Sequence, residues 1–467
     1  MANPARQPCT LVLCFDGTSS QYDEDNTNVV KLFALLKKDD TAEQLCYYQA
    51  GIGTWFQPGV VSPLFEWGAK VLDLAFAWYL DAHVLDGYRF IMQNYRSGDK
   101  ICLFGVQRAS NGPFSLRVHS NLYLQGFLGA LIPRGRWLVG LLPRDNDSQM
   151  PFAYKLYKRT DPAGIQLCAG FKQTYCRNVD VEFVGVWDTV ASVGVVMGRT
   201  LPFSNANRGI KIFRHALSLD EHRAKFQPNL YHRPGPTDAS EDQNLRTGPE
   251  TGDLTFAAPE SSTPDEPQHQ ASFGYTLSPT GTSFTENKDT GKAYAPVMEE
   301  QVIPADVLEV WFSGCHSVPD VGGGAVLNST LESLANISLR WMVREVIASG
   351  CGVIFDPAAL AQARIEVSPE PIGLAERELD DIDCLQPIYD DLVIYKIWWM
   401  LEVMPLKFTW QDAQCVWHSK HSIHLGKGRN ILEPHPNFHV TVQKRMKSAL
   451  NYKPKATWAA GTEVYVQ

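Results

Sequence analysis

Apolar residues in this chain follow two rhythms: short unbroken runs, and spacings of three and four. Leu11 to Phe15 is a compact apolar run followed at once by polar Asp16-Gly17-Thr18, the pattern of a buried strand ending in a loop. From Asn28 to Lys38 the apolar positions Val29, Val30, Leu32, Phe33 and Leu36 fall at helical spacing, with Thr27 or Asn28 as the N-cap. Leu45 to Gln49 predicts a second strand, followed by a Gly-rich loop to Pro63 and a long, aromatic, mostly helical stretch from Leu64 to Tyr95. Lys100 to Gly105 predicts the next strand. Further on, Gln149 to Arg159 reads as a helix and Val181 to Val186 as a buried strand. Phe213 to Leu219 reads as another strand, running into charged Asp220-Glu221-His222-Arg223. Val307 to Phe312 is a further strand and Leu331 to Ser349 an amphipathic helix. This alternation predicts an α/β fold, a mostly parallel sheet flanked by helices.

Two stretches break the pattern. Pro234 to Pro296 is dense in Pro, Ser, Thr, Gly, Glu and Asp with few aliphatics, so it is expected to be a disordered insertion. Residues Asp356 to about Asp383 read as a weaker linker. After it comes a Trp-rich segment (Trp398, Trp399, Trp410, Trp417) with basic residues towards the end. The expected layout is a core in two parts, 8–233 and 301–355, interrupted by an insertion at 234–300 and followed by a small C-terminal appendage at 356–467.

Composition narrows the function classes. With 42 basic and 51 acidic side chains the formal charge is -9, so no nucleic-acid partner is expected. The ten cysteines form no Cys-x-x-Cys or zinc-finger spacing, and several stand inside apolar strands, so neither a metal nor a disulfide framework is expected. Reduced thiols and an N-terminus lacking an apolar signal region point to the cytoplasm. No uncharged apolar run reaches transmembrane length.

Open α/β sheets bind ligands at the carboxyl ends of their strands. Three polar clusters follow apolar strands here: Asp16-Gly17-Thr18, Asp188-Thr189 and His316-Ser317. A serine esterase needs a base, and a carboxylate to orient it, in the chain order Ser, Asp, His. Asp188 and His316 have the right types and order for acid and base, though a strand-end aspartate also caps helices and a loop histidine can be structural. The serine is missing. Where a Gly-x-Ser-x-Gly turn would follow Lys100–Gly105, the chain reads Gly105-Val106-Gln107-Arg108-Ala109, and no such motif occurs later.

The blocks Leu11–Thr18, Asp25–Val29, Tyr48–Thr54, Gly98–Gly105, Val184–Gly194 and Trp311–Ser317 together resemble one family. It is the α/β-hydrolase domain family that includes the catalytic domain of type VI secretion phospholipase effectors. The resemblance implies an α/β-hydrolase-like fold, no cofactor, and a small-molecule ester or lipid substrate, with peripheral membrane contact if that substrate is a lipid. It independently suggests Asp188 and His316 as triad members. Asp320 is placed behind them, although Val318-Pro319 interrupts the family's His-Ser-Asp-Val-Gly-Gly pattern. Asp16, Gly17 and Thr18 could form an oxyanion loop, a phosphate nest or a plain turn. His215, His222 and Arg223 resemble a family block and read as structural.

After Leu-Phe-Gly the family pattern runs Phe-Ser-Arg-Gly-Ala-Tyr-Thr-Ala-Arg-Ala-Leu-Ala-Gly. Gln125 to Val139 permits this string when each codon's third base is joined to the next two bases: Gln-Gly permits GGG, Gly-Phe TTT, Phe-Leu TCT and Leu-Gly CGG. Every later step permits the next family residue. A GT donor fits inside a GGT codon for Gly105, and a CAG codon for Gln125 ends in an acceptor AG. Val106 to Gln125 therefore reads as a translated intron followed by out-of-frame sequence to Val139, which leaves 106–139 doubtful. The nucleophile would be encoded across the codons of Phe127 and Leu128. A diverged lid insertion is the alternative. Three activities stay open: a serine ester hydrolase, an α/β-hydrolase-like binding protein without a nucleophile, and phosphoryl chemistry through Asp16, Asp188 and Asp320. The last lacks the second acid expected at Cys14.

Overall fold

In the computed structural model of the chain, twelve described strands alternate with helices. The structure describes residues 6–16, 25–50, 84–106, 140–159, 161–190, 209–231, 305–316, 320–321, 326–327, 330–366, 374–412, 414 and 416–467. The strands are β1 (Thr10–Phe15), β2 (Asp25–Asn26), β3 (Gln44–Gln49), β4 (Lys100–Val106), β5 (Val181–Trp187) and β6 (Ile210–Ser218). They continue with β7 (Asp306–Phe312), β8 (Val326–Leu327), β9 (Pro405–Gln411), β10 (Trp417–Ile423), β11 (Asn437–His439) and β12 (Val464–Val466). Eight form one sheet in the order β12-β11-β7-β6-β5-β4-β1-β3. All its neighbouring pairs are parallel. The mostly parallel α/β architecture is therefore present, and each apolar run predicted as a strand lies in this sheet.

The unbroken apolar runs have a direct physical cause. Successive strand side chains point to opposite faces, so a strand covered on both faces must be apolar throughout. Leu11, Leu13, Ile101 and Leu103 pack on one face with Tyr88, Ile91 and Met92 of the helical residues 84–94 and with Tyr154, Tyr157 and Phe171. Their strand neighbours Val12, Cys14, Cys102 and Phe104 pack on the other, with Val29 and Leu32 of the helix Asn28–Leu35 and Trp341, Met342 and Val343 of the helix Leu334–Ser349. Thr27 caps the first of these helices, its side chain accepting from Val30 N–H. Gly185 lies where the second helix meets the sheet: a Cβ there would stand 2.7 Å from Met342 Sδ and 2.8 Å from the Phe104 ring.

Where the sequence reads as linker, Pro357–Gln362 and Leu374–Asp383 are helical, which corrects that expectation. Asp356 caps the first helix through Ala358 N–H and Ala359 N–H. The second is docked by ion pairs that local sequence hides: Arg340 to Asp380 at 2.5 Å and to Asp383 at 2.7 Å, and Arg344 to Glu376 at 2.6 Å. Further along, β11 pairs with β7 and β12 with β11, so residues expected in a C-terminal appendage extend the sheet itself. Described residues all fall in one unit, Met1–Pro236 with Pro304–Gln467. The expected insertion at 234–300 and the doubtful residues 107–139 lie outside the described residues.

Candidate active site

Because the strands are parallel, their carboxyl ends share one edge of the sheet. In register Phe15 lies beside Gly105, Val106 beside Trp187, Trp187 beside Ala216, and Ser218 beside Phe312. The chain thus leaves β4 directly beside the end of β5, and the next residue of β5's path is Asp188. Asp16, Asp188 and His316, one from each strand-end cluster, therefore stand along one edge of the sheet.

Asp188 is fully buried and has φ of +40°, a conformation uncommon for a side chain with a Cβ and sustained only when the surroundings enforce it. Its N–H donates to Ala216 O at 2.7 Å, and its Oδ1 accepts from Ser218 N–H at 2.8 Å. His316, fully buried after β7, donates from Nδ1 to Asp188 Oδ2 at 2.7 Å, because an ionised carboxylate can only accept. In the neutral ring the Nε2 lone pair is then left basic. Nε2 is buried with no hydrogen-bond partner among the described residues. The ring packs on Phe226, centroids 4.8 Å apart.

A third group closes on the pair. Arg429, 1 % exposed, donates from Nη1 to Asp188 Oδ1 at 2.5 Å and from Nη2 to Oδ2 at 2.9 Å. Its remaining donors reach Ser218 O and Phe226 O. Burial would raise the Asp188 carboxyl, but the Arg429 guanidinium and His316 outweigh it and hold the group well below the ordinary carboxylate range. Sequence reasoning missed Arg429. It stands in Gly426-Lys427-Gly428-Arg429, a loop without a local motif, and only its contact with Asp188 singles it out.

Glu221 supports the histidine loop from below, its Oε2 accepting from His316 N–H at 3.1 Å and from Arg223 Nη2 at 2.7 Å. Burial raises its carboxyl, yet Arg223 brings it down to about 2. Asp320 is fully buried, and its Oδ2 accepts from Cys315 N–H at 2.8 Å and Tyr389 N–H at 3.1 Å. Burial holds it well above the ordinary carboxylate range, outweighing the two backbone donors and the more distant pull of Arg445. Gly314, at φ +122°, makes room for it, since a Cβ there would stand 2.7 Å from Asp320 Cβ.

Asp16 is buried at the end of β1, with Oδ1 accepting from Thr27 Oγ1 at 2.9 Å and Oδ2 from the Tyr48 hydroxyl at 2.6 Å. Gly17, Thr18 and the expected nucleophile position near Leu128 lie outside the described residues. His215 accepts at Nε2 from Thr189 N–H and faces Glu309 Oε1 at 2.9 Å from Nδ1. His222 bonds Asp390 and Gly426 O, and Arg223 bonds Asp391, so both tie the β6 end to residues 390–426.

The arrangement is a carboxylate-oriented imidazole at the carboxyl edge of the sheet, its Nε2 buried and without a partner among the described residues. Such a group can take a proton from a hydroxyl and return it to a leaving group. Residues 9–345 match the family described as type VI secretion system phospholipase effector, Tle1-like, catalytic domain. An uncharacterised protein of Saccharomyces cerevisiae is 27% identical, the similarity covering 95% of this chain and 80% of that one. The solved structure of an uncharacterised protein from Pseudomonas aeruginosa is similar over 81% of this chain and 53% of its own, at 14% identity and a TM-score of 0.35. The Tle1 effector, solved bound to the VgrG spike of the type 6 secretion system, is similar over 49% of this chain and 48% of its own, at 18% identity and a TM-score of 0.26. This chain spans about half the length of each of those two solved chains.

Proposed function

The chain belongs to the family of Tle1-like phospholipase effector catalytic domains, a hydrolase family, and on that premise we propose that its gene encodes a serine ester hydrolase acting on lipid or other carboxylic esters. In this reading His316 is the general base, Asp188 orients it and stabilises the imidazolium, and Arg429 positions Asp188. The observation that carries it is the 2.7 Å hydrogen bond from His316 Nδ1 to Asp188, with Nε2 buried and lacking a partner among the described residues. A buried polar nitrogen without a partner is costly, and its natural partner here is a hydroxyl delivered by the chain leaving β4 beside Asp188.

As written, the chain has no Gly-x-Ser-x-Gly turn to deliver that hydroxyl. We attribute the loss to the translated intron and frame change across 106–139. Without the serine, hydrolysis from binding and oriented dipoles alone would be orders of magnitude weaker. The same absence favours a second reading, a hydrolase-like binding protein with no turnover.

The two readings separate in a restored chain, in which Phe-Ser-Arg-Gly-Ala-Tyr-Thr-Ala-Arg-Ala-Leu-Ala-Gly follows Gly105 and leads into Gly140. It should take up a serine-directed fluorophosphonate and hydrolyse phospholipid or simpler esters, and His316→Ala should lower turnover by about 1000-fold or more. A folded restored chain that takes up no fluorophosphonate sinks the hydrolase reading.

A further inference from the structure

The charged block Asp220-Glu221-His222-Arg223, just past the end of β6, grips the turn that carries His316. Three successive peptide N–H groups of that turn each donate to a different buried carboxyl group. Gly314 N–H donates to Asp220 Oδ2 at 2.7 Å, Cys315 N–H to Asp320 Oδ2 at 2.8 Å and His316 N–H to Glu221 Oε2 at 3.1 Å. Asp220 returns a bond through its backbone, its N–H donating to Gly314 O at 3.0 Å. Consecutive N–H groups in a turn with one left-handed residue, here Gly314 at φ +122°, make a cradle for oxygen acceptors. In this chain the acceptors are side chains of the protein itself.

Each of the three is tied a second time, to a segment far along the chain. Oδ2 of Asp220 also accepts from the Tyr452 hydroxyl at 2.7 Å, and its Oδ1 accepts from Lys455 N–H at 3.2 Å. Asp320 Oδ2 accepts from Tyr389 N–H at 3.1 Å. Glu221 accepts from Nε and Nη2 of Arg223, whose Nη1 donates to Asp391 at 2.8 Å. Burial and the nearby Asp220 push the Tyr452 phenol well above its usual range, so it keeps the proton that it donates. Tyr389, Asp391, Tyr452 and Lys455 all lie beyond residue 345, where the family match ends.

A catalytic group loses efficiency steeply when displaced, by about 100-fold for 1 Å. His316 holds Asp188 through Nδ1 at 2.7 Å, so the backbone of its turn decides where Nε2 stands. We propose that Asp220 and Tyr452 are positioning residues for His316, completing with Asp320 and Glu221 a cradle of carboxyl groups around its turn. Residues past the family match are then part of the site rather than an appendage to it. The proposal rests on the ester-hydrolase reading only for what His316 does there. The cradle needs no nucleophile, so it is tested on the full chain as it stands.

The reporter is the His316 Nδ1 proton, which its short bond to Asp188 moves far downfield in the proton spectrum of chain labelled with isotopic histidine. Its exchange with water measures how often the turn opens. Asp220→Ala should speed that exchange about tenfold or more, because the turn loses a buried acceptor. Asp220→Asn keeps one oxygen for both Gly314 N–H and the Tyr452 hydroxyl, so it should stay within about threefold of the parent. Tyr452→Phe should speed exchange about threefold or more, and it decides the matter if Asp220→Ala does not fold. Arg214→Ala, which removes ion pairs with Asp306 and Glu345 away from the turn, should lower the melting temperature and leave the exchange unchanged.

Exchange at the parent's rate in Asp220→Ala or in Tyr452→Phe overturns the cradle. So does Arg214→Ala speeding exchange as much as Asp220→Ala for the same loss of melting temperature, which would make Asp220 a merely stabilising residue. A parent without the downfield proton overturns the Asp188–His316 bond and the proposed function together. A parent that has it, with unmoved variants, overturns the cradle alone.

Discussion

Arg429→Met removes the guanidinium that lies on both oxygens of Asp188 and leaves the carboxylate fully buried with His316 and one backbone N–H. Breaking a buried ion pair from one side costs about 3–5 kcal/mol, most of it the uncompensated charge left behind. Asp188→Asn alone leaves the opposite charge stranded and should cost a similar amount. Together the changes leave no stranded charge, so the double variant should be about 2–3 kcal/mol more stable than the sum of the singles predicts. Urea unfolding followed by tryptophan fluorescence reads this cycle, with Trp187 next to Asp188 as a local reporter. The pH dependence has a definite sign. The Asp188 carboxyl is depressed in the fold, so its stabilisation is present above the unfolded pKa of about 4 and disappears only below it. Without Arg429, burial is opposed mainly by His316, so the variant's carboxyl takes up its proton at higher pH. The variant's deficit should therefore be smaller near about pH 4.5 than near pH 8. Single-variant costs that add to within about 0.5 kcal/mol would refute the clamp.

Two other carboxylates give contrasting tests. Glu221 drops from 4.5 to about 2 in the fold, so it contributes about 3 kcal/mol above pH 4.5 that fades as pH falls towards 2. Glu221→Gln should flatten the stability profile across that window, and an unchanged acid limb would contradict the pairing with Arg223. Asp320 is raised, so its contribution is present at low pH and lost as pH rises through the folded value. Asp320→Asn keeps an acceptor for Cys315 N–H and Tyr389 N–H, so the variant should match the parent near pH 4 and melt higher than it at pH 8. A lower melting temperature at pH 8 would show that the ionised form is needed.

The central sheet was legible because its strands are buried on both faces and so read as unbroken apolar runs. Asp188 and His316 stood out as candidates because they come soon after such runs, Asp188 immediately after Trp187 and His316 four residues after Phe312. Arg429 was not: it sits 241 positions from Asp188 and acts only through tertiary contact. β11 and β12 are three residues each, too short to show a period. The helix Leu374–Asp383 was hidden because its docking depends on Arg340 and Arg344 of another helix rather than on an apolar stripe of its own. Asp16 could not be assigned from sequence, since its carboxylate is engaged by Thr27 and by Tyr48, 32 positions away.

The most direct test of the account is the sequence of the spliced transcript across codons 100 to 145. The account predicts reads that join Leu-Phe-Gly at Gly105 to Phe-Ser-Arg-Gly-Ala, placing a serine beside Asp188 and His316. Reads that retain Val106 to Gln125 in every transcript would contradict it, leaving a buried acid–histidine pair with no nucleophile encoded to use it.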